Sequence, residues 1–491
     1  MNIFFEAVHR NDWRTIEKYL EAGGDIDVNE EGFTALSIAA LLGNTNLFIK
    51  LVESGADIHE RIYGGGPILI AAVGFEAKDI VRYLLTVYED IEIADSGGNT
   101  ALFYAANNGN LEILNMLIEN GANIDAVDSE RNYTPLLEAL TQGQAACAKQ
   151  LILKGANIQV IGKNNVTPLQ FTIEHDMHEV SDLLIRKGCQ FGTSPSEDVR
   201  TFFGAVIRAH TLAVAEMLSS GINANESEEE NGFSPLFFCT TSGHEDIVKL
   251  LIKNGAQVNR TNKDGDTALL HLLKEINTPT TILKGLIETT EDLDFRDKEN
   301  GTALMYASGF GNLELVKMLV SKGADINARD SKTGSCALME AISNHESEVA
   351  IYLINNGADV KHTLLGGESL LIQTLFEKLS DVALTLIQHG HDVNVYDSNN
   401  LSALSGAAAG GYLDIVRELI KRGADINEQG PEGVNPLFQS IFFDHDKVVR
   451  YLLSIGADQT VINSKGYTPR EYAAQLGREK IIMVFKVTEA F

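Results

Sequence analysis

The residues that could do chemistry are few. His175 and His178 sit among Glu174, Asp176 and Glu179, which crowds metal-binding and proton-transferring side chains into one short segment. A zinc-binding helix of the H-E-x-x-H kind needs its histidines four apart, so that both imidazoles share one face. These two are three apart, and the segment reads as a surface turn between two helices. His345, Glu346 and Glu348 occupy the corresponding place further on and read the same way. Gly64, Gly65 and Gly66 form a loop before a helix but lack the lysine with which a P-loop grips phosphate. The run Gly406-Ala-Ala-Ala-Gly-Gly reads as a small-residue helix rather than a dinucleotide loop. Cys147, Cys189, Cys239 and Cys336 are far apart and form no CxxC pair, so neither a disulfide framework nor a zinc site follows. No Gly-x-Ser-x-Gly elbow is present. The expectation is no catalytic residue, no metal and no cofactor.

Of the 491 residues 44% are hydrophobic and 22% charged, the balance of a folded chain rather than a disordered one. The net charge is −29, from 68 acidic against 39 basic residues, and it is spread along the length. Such a surface repels nucleic-acid phosphates and anionic membranes and would steer a basic partner. The plainer reading is that acidity keeps a long chain soluble. The opening MNIFFEAVHRNDW is charged by position 6 and lacks an apolar core of signal-peptide length. No apolar stretch reaches membrane-spanning length. The expected protein is a cytoplasmic monomer that binds neither nucleic acid nor membrane.

A period organises the whole chain. Thr100-ALFYAANNGNLEILNMLIENGANID, Thr302-ALMYASGFGNLELVKMLVSKGADIN and Ser402-ALSGAAAGGYLDIVRELIKRGADIN share one plan. Each runs short apolar helix, glycine, second apolar helix, Gly-Ala, polar connection. The apolar anchor of the first helix recurs at Ile3, Leu36, Leu69, Leu102, Leu136, Leu169, Phe202, Leu236, Leu269, Leu304, Leu338, Leu371, Leu404 and Leu437, and Arg470 takes the place in the last unit. Every step is 33 to 35 residues.

Local chemistry explains the unit. Thr134-Pro135, Thr167-Pro168, Ser234-Pro235, Asn435-Pro436 and Thr468-Pro469 each put a helix-capping side chain before a proline. The cap accepts an exposed N–H of the first turn, and proline lacks a donor that would have had no partner there. Glycines such as Gly43 and Gly109 end the first helix, and Gly55, Gly121 and Gly323 end the second. In the second helix Ile113, Leu114 and Leu117 fall on one stripe, as do Leu315, Val316 and Leu319. One such unit buries too little surface to stand alone, so stacking must supply a continuous core.

Period, turn chemistry and both helical patterns together resemble the ankyrin repeat. The resemblance covers essentially the whole chain. It implies an all-α solenoid of about 15 stacked helix–loop–helix units with projecting β-hairpin loops. The expected layout is a single array over residues 1–491. Residues 1–31 form an N-terminal cap, 32–192 repeats 2–6, 193–225 an irregular repeat 7, 226–462 repeats 8–14 and 463–491 a C-terminal cap. The family's T-P-L-H tetrapeptide is absent. Mostly apolar residues such as Ile70, Phe103 and Leu137 follow the anchor, so the hairpin loops are expected to line up less regularly. Three units are irregular. Unit 3 ends in Thr86-VYEDIEI, unit 7 carries Gly192-TSPSEDVRTFF and unit 9 carries Asn277-TPTTILKGLIETTEDLD. Bent or looser stacking is expected near 190–200 and near 275–292. The acidic run Glu226–Glu230 reads as a solvated hairpin tip.

The resemblance also implies protein–protein recognition on a concave face of hairpin tips and first helices. The residue just before the cap lies at the base of each loop. It is Phe33, Asn99, Tyr133, Val166, Phe233, Asp266, Val434 or Tyr467 in the regular units. Four of these eight are aromatic, and they read either as partner anchors or as packing between loops. Val127, Asp128, Arg131, Arg329, Asp330 and Lys332 are loop positions that could set specificity. The leading reading is a non-catalytic scaffold that binds one or more partner proteins. The alternative is an acidic inhibitor or immunity-type protein that blocks a basic enzyme or toxin. An enzyme with an unrecognised site is the third, and the even period leaves it no insertion.

Overall fold

The computed structural model describes residues 3–59, 61, 66–163, 165–275, 280–361 and 369–488. Gly64, Gly65 and residues 277–279 of the irregular ninth unit lie outside them. Among the described residues there are 30 α-helices, two for each anchor position, and one 3-10 turn at Pro431–Gly433. Among the described residues the loops form isolated bridges, such as Thr261 with Thr267 and Tyr396 with Ser402, and no strand.

The caps work largely as their chemistry requires. The side chains of Thr34, Thr100, Thr134, Thr167, Thr267, Thr302, Ser402, Asn435 and Thr468 each accept the N–H three residues on. Ser234 sits at the same place without such a bond. The position after the anchor has a role of its own where it is polar. Ser37, Gln170 and Glu471 return a bond to the cap's backbone and complete capping boxes.

The chain divides into two compact units, Met1–Glu226 and Ser227–Phe491. In the first, the helix Ala101–Asn108 packs against Ile68–Gly74 on one side and Pro135–Thr141 on the other. The second helix of that repeat, Leu111–Glu119, packs against Lys78–Val87 and Ala145–Leu153. In the second unit, Ala403–Ala409 lies between Leu370–Phe376 and Pro436–Phe442, and Leu413–Lys421 between Ser380–Gln388 and Asp446–Ser454. First helices thus stack on first and second on second, and the core runs between the two layers. Each anchor from Leu36 to Leu437 is at most 3% exposed, whereas Ile3 is 68% exposed. Arg470, Glu471, Gln475, Glu479 and Lys480 of the last unit are exposed. Burying one Leu side chain stabilises by about 1.5–3 kcal/mol, so the repeated anchor is a principal source of cohesion.

Polar residues also tie neighbouring repeats. In the Ala-Asp-Ile-Asn type of segment, the second polar residue accepts the N–H of the equivalent segment one repeat later. Asp27 takes Asp57 at 3.0 Å, Asp125 takes Asn157 at 2.8 Å, Asp294 takes Asp325 at 2.9 Å and Asn427 takes Asp458 at 2.8 Å. Part of the acidity therefore serves this ladder as well as solubility.

The irregular repeats keep the two-helix plan by different local means. Residues 195–207 form a first helix of 13 residues, against seven in repeat 5. Ser194 and Pro195 start it early, Phe202 is 0% exposed, and Gln170 of repeat 6 reaches Glu197 at 2.9 Å and Thr201 at 3.2 Å. In repeat 3, Tyr88 stands where Gly-Ala is missing. It is buried, donates its hydroxyl to the Ile58 carbonyl of repeat 2, and burial pushes its pKa up to about 12. In repeat 9, the described helix Thr280–Thr289 buries Leu286 and Ile287.

Candidate protein-binding face

The residues at the base of the loops share one backbone task. The carbonyls of Phe33, Asn99, Tyr133, Val166, Phe233, Asp266 and Tyr467 accept the N–H of Glu30, Asp95, Asp128, Gly162, Glu228, Asn262 and Asn463, at 2.9–3.2 Å. Gly430 closes on Val434 in the same way at 2.8 Å. An Asp or Asn at the start of the loop finishes it from inside. Asp95 accepts the N–H of Gly97 and Asn99, both at 2.9 Å, and Asp128 that of Arg131 at 2.9 Å and Tyr133 at 3.0 Å. Asn262 and Asn463 do the same for Asp266 and Tyr467. This Asx chemistry, rather than strand pairing, shapes the loops. The sequence signal was an Asp or Asn four or five places before the loop's last residue.

Successive loops do line up. Ser129 N–H reaches the Gly97 carbonyl at 2.9 Å, Lys163 that of Arg131 at 3.0 Å, Lys263 that of Asn231 at 2.9 Å and Ser464 that of Glu432 at 2.8 Å. Missing T-P-L-H tetrapeptides do not disturb this, because backbone groups make the links. Gly98, at φ 81°, permits one of them, since a Cβ there would lie 2.9 Å from the Ser129 nitrogen. The acidic run is a turn at such a tip, where the Glu228 carboxylate accepts the Asn231 N–H at 3.0 Å and Glu229 and Glu230 stay exposed.

The side chains at the loop bases are half-buried, apart from a buried Asp266. The Tyr133 ring meets Phe171 of the next repeat edge-on at 6.1 Å, under the Arg131 guanidinium at 4.7 Å. Phe233 stacks on Phe237 at 5.1 Å and lies 6.0 Å from His271 of the next repeat. Asn99 bonds Asp95. Asp266 pairs with Lys274 at 2.8 Å, which also meets Asp297 at 2.7 Å, and Tyr306 donates to that carboxylate at 2.6 Å. Burial works against the Lys274 ammonium, but Asp266 and Asp297 outweigh it and raise its pKa.

A set of apolar side chains missed by the sequence reading stands further out. Five or six residues after the anchors Leu304, Leu371 and Leu437 come Phe310, Phe376, Phe442 and Phe443, which are 57%, 84%, 45% and 50% exposed. Leu41 and Ile207, each five residues after its anchor, stand at the matching helix end in the first unit, at 48% and 40%. The signal was present as an apolar residue five or six places after the anchor. Phe310 edges a groove of about 570 Å³, lined by Tyr306 and the carboxylates of Glu299, Asp330 and Glu340, with Lys332 at its rim. Phe33 lies in a smaller groove with Phe5, His9 and Leu41.

All four cysteines are buried and unpaired, and burial pushes Cys147 up to about 11 and Cys189 up to about 12. His345 faces Glu377 of the next repeat at 2.9 Å. His178 opens a second helix beside the buried His210 of the next repeat. No described helix is long and apolar enough to cross a membrane.

The family model for ankyrin repeats in three copies matches residues 64–128, 202–277, 270–363, 370–463 and 404–485. The chain belongs to the ankyrin-repeat family. Ankyrin repeats generally mediate protein–protein interaction and are generally non-catalytic. The chain is 30% identical over 264 residues to the ankyrin repeat and KH domain-containing protein mask-1 of Caenorhabditis elegans, covering 53% of this chain and 10% of that one. It is 25% identical over 295 residues to the ankyrin repeat protein nuc-2 of Neurospora crassa, covering 60% and 23%. The chain thus spans a quarter or less of these relatives. A crystal structure of an ankyrin repeat domain from Acinetobacter baumannii is 28% identical and covers 38% of this chain and 98% of its own, with a TM-score of 0.36.

Proposed function

We propose that this ankyrin-repeat chain is a non-catalytic scaffold that binds a partner protein on the face made by its loops and the ends of its first helices. The carrying observation is the recurrence of exposed phenylalanine at the C-terminal end of the first helix in repeats 10, 12 and 14. Large aromatic side chains held in water have a cost unless a partner covers them, and aromatic residues are enriched at interfaces. The carboxylates around Phe310 favour a partner segment that sets an apolar or aromatic side chain beside Lys or Arg. Phe33, Asn99, Tyr133, Val166, Phe233, Asp266 and Tyr467 act at the loop bases. They fix loop shape, and the four aromatics add the half-exposed edges of their rings to the contact surface. Shifted groups such as Lys274, Asp297 and Tyr306 satisfy one another where a loop meets two first helices, which supports the non-catalytic reading. The buried, unpaired cysteines support a reducing compartment such as the cytoplasm.

An acidic inhibitor remains the second reading, favoured by the carboxylate-lined groove. It calls for one tight, basic partner whose association slows steeply with salt. Co-purification from the native cell separates the outcomes. Phe310→Ala, Phe376→Ala and Phe442→Ala together should remove the partner recovered with the wild-type chain while helical content is unchanged. Equal recovery with the triple variant would overturn the proposed face.

A further inference from the structure

Repeats 6 and 7 bring together three side chains that the sequence keeps apart. Asp176 occupies the left-handed turn between the helices of repeat 6, at φ 55°. His178 is the first residue of the helix His178–Arg186. His210 is the N-cap of the next repeat's second helix, Thr211–Ser219. One ligand atom from each lies within 4.8 Å of the other two. The two imidazoles are stacked with centroids 4.0 Å apart.

His210 decides what the cluster can do. The residue is 1% exposed. Ser181 Oγ donates to the His178 carbonyl at 2.9 Å, so in its 2.8 Å contact with His210 Nδ1 it accepts. That arrangement keeps the proton on Nδ1 and leaves a lone pair on Nε2. Nε2 is buried and has no hydrogen-bond partner among the described residues. Buried acceptors in that state are rare. The same fold position elsewhere shows the contrast. His445 is the N-cap of Asp446–Ser454, and its Nε2 pairs with the Ala409 carbonyl of the preceding repeat at 2.8 Å.

We propose that Asp176, His178 and His210 bind a divalent transition-metal ion, with zinc as the probe of choice. Two imidazoles and one carboxylate suit a metal of borderline softness and leave a fourth position for water. Ser181 is the outer partner that aims His210, the usual arrangement for a metal-bound imidazole. His210 is fixed, while Asp176 and His178 are exposed and free to close on the ion by side-chain rotation. With metal–nitrogen bonds of about 2.0–2.1 Å, that closure amounts to roughly an ångström. Arg208 is the competing cation, at 3.2 Å from Asp176, and the metal displaces it.

Calorimetric titration of zinc into the full chain, stripped by dialysis against a chelator, tests the site. The wild type should take up one zinc that His178→Gln and Asp176→Asn each weaken at least about tenfold, and that Ser181→Ala weakens about 10- to 100-fold. Arg208→Gln should tighten binding. His178 and Asp176 are exposed, so their variants test the site even if a His210 variant fails to fold. No zinc uptake by the wild type, or uptake unchanged in both His178→Gln and Asp176→Asn, overturns the proposal.

Discussion

Arg131 Nη2 lies 2.9 Å from Glu138 Oε2, and that carboxylate side chain is only 1% exposed. Arg131 belongs to the loop of repeat 5 and Glu138 to its first helix, so one ion pair ties the two parts of the proposed face. Asp128 holds the same guanidinium at 3.0 Å, and Asn107 of repeat 4 donates to Glu138 at 2.6 Å. Removing the cation would leave a buried charge short of partners. Arg131→Ala should therefore destabilise the first unit by about 1–3 kcal/mol, toward the lower end because the arginine is partly in water. Urea unfolding followed by circular dichroism reads this directly. A change within experimental error would mean the pair does not brace the loop.

Repeat 7 offers a second check, because its irregular sequence forms a lengthened first helix with a buried anchor. Phe202 is fully buried in the lengthened helix Pro195–Ile207. Phe202→Ala should cost about 3–5 kcal/mol and make residues 190–207 the first site of proteolytic cutting. Wild-type protein cut there as readily as the variant would restore the loose reading.

Acid should weaken the second unit through His391. It is buried, with Nδ1 on the Asp392 carbonyl at 2.7 Å and Nε2 on Ser369 Oγ at 3.2 Å. Burial lowers its pKa, and the Asp392 carbonyl and charge only partly oppose this. The folded state therefore binds fewer protons than the unfolded state just below the ordinary histidine value of about 6.5. Stability is complete above that value and is lost as pH falls through it toward the lower folded pKa. Thermal melts at pH 7.5 and 5.5 should show a larger drop for the wild type than for His391→Gln. An equal drop in both would assign the acid sensitivity to other groups.

The fold was legible because its cause is periodic. A Leu every 33 to 35 residues, a Thr or Ser cap and glycine stops carry the architecture in residue types alone, and Leu36 to Leu437 are buried accordingly. The long first helix of repeat 7 was not legible, because a Ser-Pro start displaced the cap and lengthened the helix. The face was only half legible. Tyr133 and Phe233 were picked out by position, but their contacts with Phe171 and His271 arise one repeat away. Phe310 and Phe376 were passed over because apolar residues on a short helix read as core. His210 could not be joined to His178 from the sequence, since the contact spans one whole repeat.

Hydrogen–deuterium exchange on the complex with the recovered partner tests the central claim most directly. Binding should slow exchange at the first-helix ends around Phe310, Phe376 and Phe442 and in the loop carrying Asp330 and Lys332, and leave second helices such as Leu313–Ser321 and Leu413–Lys421 unchanged. Protection confined to those second helices would contradict the proposed binding face.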